Sequence, residues 1–99
     1  MSLREWIEEI APEALLVGEP GDTSYDGAIL GIAERCSQPP LIVYDRQKLV
    51  EIFARQFAAD GSDDPLMDAE EWVSFNIDGA WMGPGTPLML HRSEDECVT

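Results

Sequence analysis

Pro39-Pro40-Leu41-Ile42-Val43-Tyr44-Asp45-Arg46-Gln47-Lys48 is the stretch that decides the fold. Two prolines cannot sit inside a helix and bias the chain toward an extended entry. Leu41 to Tyr44, rich in β-branched and aromatic character, then reads as a strand. Asp45 follows as an N-cap, because its carboxylate can accept from the unpaired amides that open a helix. From Arg46 to Ala58, Leu49, Val50, Phe53 and Phe57 recur at helical spacing, while Arg46, Gln47, Glu51, Arg55 and Gln56 are expected to face water. A strand that passes directly into an amphipathic helix implies a helix layered on a sheet.

Working toward the N-terminus, Ala28 to Cys36 is assigned to a second strand. Gly27 and Gly31 would each weaken a helix there by about 1 kcal/mol. Glu19 to Ser24 is loop chemistry, and the short apolar run Glu13 to Val17 is expected to start a strand. Ser2 and Glu5 form a capping box ahead of Leu3, Trp6, Ile7 and Ile10, an apolar face assigned to the core, opposite Arg4, Glu5, Glu8 and Glu9. Pro12 stops this helix.

Toward the C-terminus, Asp60 to Met67 is expected to be a loop. Asp68 and Glu71 repeat the capping pattern as D-x-x-E and predict a helix carrying Trp72, Val73, Phe75, Asn76 and Ile77. It should end near Asp78-Gly79, with Gly79 as a left-handed cap. Gly79 to Leu90 carries no charge; Gly83-Pro84-Gly85 reads as a turn and Thr86 to Leu90 as a last strand. The expected fold is α+β: a small, mostly antiparallel sheet with about three helices packed on one face. Residues 1–92 are expected to form a single domain and 93–99 an acidic flexible tail.

Composition bounds the function. The chain has 99 residues, 44% apolar and 26% charged, with a net charge of −14. That suits one domain with a modest core and excludes a two-domain enzyme or a collagen-like repeat. No apolar run approaches the roughly 18 residues of a membrane helix. Six Lys and Arg in total argue against direct nucleic-acid or anionic-membrane binding. Glu8 and Glu9 interrupt what would have to be an apolar leader, so a cytoplasmic protein is expected. Cys36 and Cys97 lack metal or C-x-x-C spacing and are expected to be reduced thiols.

Three stretches carry a family resemblance. Gly31-Ile32-Ala33-Glu34-Arg35-Cys36-Ser37-Gln38-Pro39 carries elements of a G-x-x-R-(x)-C-x-Q-P pattern, and Tyr44-Asp45-Arg46-Gln47-Lys48 reads Y-D-x-x-K. Phe75-Asn76-Ile77-Asp78-Gly79-Ala80-Trp81-Met82-Gly83-Pro84-Gly85-Thr86-Pro87 reads F-N-x-x-G-A-W-x-G-x-x-T-P and is the most specific of the three. The chain resembles a family of small uncharacterised bacteriophage and bacterial proteins. The resemblance implies a phage or mobile-element setting and no particular chemistry. The departure is the joint between the two central helices: a brief D-G-M-x turn in the family, the longer Asp60 to Met67 here.

That joint is a candidate metal loop. Counted as twelve positions, it places Asp60, Ser62, Asp64, the Leu66 carbonyl, Asp68 and Glu71 at the oxygen-ligand spacing of a calcium-binding EF-hand. Pro65 stands where that loop needs a glycine of positive φ, which proline cannot adopt. The competing reading is a solvated connector with Asp68 as a helix cap. Cys36 with His91 is a candidate nucleophilic dyad only if the fold brings them together. Paired-carboxylate chemistry is uninformative with 20 acids. No catalytic residue and no cofactor are expected, and a small enzyme stays an alternative.

The neutral Gly79 to Pro87 segment has two readings: a contact loop built on Trp81, Met82 and Gly83, or a turn that folds Trp81 onto the core. Charge is uneven. Six of the twelve residues Asp60 to Glu71 are acidic and none is basic, and Glu5, Glu8, Glu9 and Glu13 form a second group. The resulting expectation is a non-enzymatic accessory protein that binds an unknown protein through Trp81, Met82, Gly83, Asp63, Asp64 and Glu70, with a basic partner surface and an inhibitory role as open readings. A nucleic-acid mimic and a calcium- or small-ligand-binding module are the alternatives.

Overall fold

The computed structural model describes residues 2–92. The fold is α+β, with three helices and a three-stranded sheet. The elements are α1 (Leu3–Ile10), β1 (Ile29–Ala33), β2 (Leu41–Asp45), α2 (Arg46–Ala59), α3 (Pro65–Val73) and β3 (Leu88–Leu90). A 3-10 turn, Asp26–Ala28, precedes β1, and a single π-helical turn, Ser74–Asp78, extends α3. The acidic tail and Cys97 lie outside the described residues.

The β2–α2 junction forms as its sequence dictates. Asp45 is buried, and its Oδ1 accepts from the amides of Gln47 at 3.1 Å and Lys48 at 3.4 Å. Ile42 and Tyr44 alternate with Leu41 and Val43 and enter the core with Leu49, Val50, Ile52 and Phe53 of α2. Ala69 and Val73 bring α3 into the same cluster, and Ile7 and Ala11 attach the N-terminal segment to it. Phe53 lies at the centre, its ring 4.8 Å from Tyr25 and 4.5 Å from Trp72.

The sheet order is β1-β2-β3, and the sheet is mixed rather than mostly antiparallel. β1 and β2 are antiparallel, with Leu30 bulged out between the Ile29↔Tyr44 and Gly31↔Val43 pairs. β3 runs parallel to β2, because α2, α3 and the π turn carry the chain back before it rejoins the sheet.

Four local expectations change. Residues 13–17 form no strand, since Leu15 N donates to Gly85 O and Val17 N to Tyr44 Oη, 2.9 Å each, instead of joining a ladder. Helix α3 starts at Pro65, not after Asp68: Asp64 is the cap, accepting from Met67 N at 3.3 Å, and Pro65 suits the first helical position, whose amide would be unpaired anyway. Gly79 has φ −88°, so it is not a left-handed cap. The α1 face is only partly core, with Ile7 buried and Leu3, Trp6 and Ile10 exposed.

Candidate functional site

The sheet has two unlike faces. Ile42, Tyr44 and the partner of Tyr44, Met89, lie on the face that packs into the core. Their alternates, Leu41, Val43, Leu88 and Leu90, lie on the other face, where Leu88 and Leu90 are exposed. A solvated sheet face would ordinarily be polar at these positions, so this one has the composition of a contact surface.

A groove of about 1040 Å³ opens beside that face, at the end of the sheet where β1 finishes and β2 and β3 begin. Ala33, Leu41 and Leu88 contribute its sheet wall, and Ile77, Trp81 and Pro84 come from the π turn and the following loop. Its charged lining mixes signs, with Glu34 and Asp78 beside Arg35, and His91 adds an imidazole.

The loop that presents Trp81 is held by the Thr86 hydroxyl and by its own backbone. Thr86 Oγ1 accepts from Met82 N at 2.8 Å and donates to Gly83 O at 2.7 Å, while Thr86 N also donates to Gly83 O at 3.1 Å. Gly83 has φ +104°, a conformation that favours glycine. Gly85 lies so close to the 13–15 segment that an added Cβ would stand 2.9 Å from Glu13 O. These contacts fix the loop without using the indole. Trp81 is 76% exposed, Met82 69% and Phe75 81%. The core reading of Trp81 is therefore set aside.

Arg46, expected to face water, is instead the clamp behind the π turn. Its Nε donates to Asp78 Oδ2 at 2.7 Å, its Nη1 to Glu70 Oε1 at 3.0 Å and its Nη2 to Ser74 Oγ at 3.0 Å. Burial works against the guanidinium charge, but the bonds to Asp78 and Glu70 outweigh it and raise the pKa. One side chain of α2 thus sets the turn from which Phe75 and the Trp81 loop project.

No family model, curated protein or solved structure matches the chain.

The remaining candidate residues fall in different places. Asp64 is occupied as a cap and Glu70 accepts from Arg46, whereas Asp63 is exposed in the turn before α3; none of the three lines the groove. Asp60, Ser62, Asp64, Asp68 and Glu71 do not form an EF-hand loop, because α3 already begins at Pro65. Ser62 Oγ donates to Asp68 Oδ2, a local bond that accounts for two of these oxygens. Among the described residues, no group of three or more His, Cys, Asp or Glu side chains is placed to hold a metal ion. Cys36 Sγ is 3.8 Å from Ser37 Oγ in the β1–β2 turn, and no hydrogen bond joins it to His91. No described helix is long and apolar enough to cross a membrane.

Composition reading missed Arg35, Gln38, Pro39, Ile77 and His91 as groove residues. Arg35, Gln38 and Pro39 lie in the Gly31–Pro39 stretch and Ile77, Trp81 and Thr86 in the Phe75–Pro87 stretch, and residues of both line the same groove.

Proposed function

We propose that this chain is a non-enzymatic protein-binding module, of the phage or mobile-element type that its motifs resemble, and that the groove beside Trp81 is its contact surface. The observation that carries this reading is an exposed indole on a loop whose own hydrogen bonds do not need it. A large aromatic beside an apolar sheet face is the usual anchor of a protein interface, where burial of its area supplies much of the affinity. The acidic surface, at a net −14, steers a partner with a basic surface, and Glu34 and Asp78 bring part of that charge to the groove itself.

The test is capture from a bacterial lysate with the tagged chain and its Trp81→Ala variant, at low and high salt. The expected result is one or more basic proteins retained at low salt, released as salt screens the attraction, and lost with Trp81→Ala. Equal retention by the variant, or no retention by either, contradicts the proposal.

A further inference from the structure

Helix α1 rests on the domain by one edge. Ile7 and Ala11 are buried, and Arg4 reaches back to Asp26, with Nε 3.0 Å from Oδ2 and Nη2 2.8 Å from Oδ1. Arg4 Nη2 also donates to Asp22 O. At 3.6 residues per turn these three residues occupy about 60° of the helix circumference. Leu3, Ile10 and Trp6 fill the next 60° or so, and they remain 37%, 42% and 36% exposed. Among the described residues, no other helix or strand makes an extensive contact with α1.

The chemistry of what fits this arc follows from its surroundings. Leu3, Trp6 and Ile10 stand at i, i+3 and i+7, the seam of a two-helix contact. Glu9 and Glu5 border the seam on the side away from the domain, and Glu8 lies farther round. The one cation of the helix, Arg4, is turned inward to Asp26. The complement is therefore an apolar stripe flanked by positive charge. We infer that the Leu3–Trp6–Ile10 seam docks a basic amphipathic helix of a partner protein. This surface is separate from the Trp81 groove and does not rest on it.

The probe is a synthetic Leu/Lys peptide of about 14 residues with leucines at helical spacing, set against a scrambled peptide of the same composition. Each is titrated into the ¹⁵N-labelled full chain. The patterned peptide is expected to bind saturably, at least about tenfold tighter than the scrambled one, and to shift amides within residues 3–10 together with the Trp6 indole. Leu3→Ala/Ile10→Ala should weaken it at least about tenfold, and Trp81→Ala should leave it unchanged. Glu9→Lys, which touches no apolar packing, should weaken it several-fold and covers the case in which the double variant fails to fold. Equal binding of both peptides, shifts centred on residues 79–90, no saturation, or indifference to Glu9→Lys overturns the inference.

Discussion

The guanidinium of Arg46 donates to residues on α3 and on the π turn, so its removal leaves three acceptors without their donor. Glu70 and Asp78 keep partial access to water, which limits the loss. Arg46→Met should cost about 1–2 kcal/mol in urea unfolding. Arg46→Lys should recover less than half of that, because one ammonium cannot reach three acceptors in fork geometry. Tyr44 is the second residue with a measurable signature. Burial raises its pKa, against the lowering effect of the bond from Val17 N. A raised pKa means that the folded state holds the phenolic proton more tightly. Its contribution to stability is therefore complete below the ordinary value of 10.0 and is lost as pH rises toward the higher folded value. Unfolding free energy should fall with pH in that range. Tyr44→Phe should flatten the fall, while losing about 1 kcal/mol at neutral pH through the orphaned Val17 amide.

Among the elements, the ones easiest to read were those whose signals are local. The β2–α2 junction needs only two prolines, four strand-forming residues and an N-cap, and α1 needs only its capping box; both form where expected. The start of α3 was misread because two cap signals compete within five residues. Asp68 with Glu71 resembles a capping box, but Asp64 with Pro65 supplies a cap and a preorganised first position one turn earlier. Asp64→Ala should accordingly cost about 1 kcal/mol of stability and fray α3, with Asp68→Ala costing less. Thermal denaturation of the two variants decides between the two starts. The role of Arg46 and the docking of Gly85 on Glu13 were not legible at all, because each depends on contact between segments distant in sequence. Gly85→Ala should push the loop off the 13–15 segment and cost about 1–3 kcal/mol. Hydrogen exchange at Leu15, whose amide bonds to Gly85 O, should then rise.

On the scale of the whole molecule, the helices and the inner sheet face form a core, and the outer sheet face with the groove leaves apolar surface in the open. A net charge of −14 works against self-association through such a surface, and under the proposed function it is what would attract a basic partner. In the sequence, the neutral Gly79 to Pro87 segment carries two readings, a contact loop or a turn that folds Trp81 onto the core. Sequence alone could not tell a core tryptophan from a displayed one, because that depends on Thr86, Gly83 and Gly85 holding the loop by themselves. The most direct measurement is a paired one on Trp81→Ala: unfolding free energy, and retention of protein from a bacterial lysate at low salt. Stability within about 0.5 kcal/mol of the parent, with the retained partner lost, is the expected result. A variant that unfolds, or one that retains the same partner undiminished, would contradict a displayed binding tryptophan.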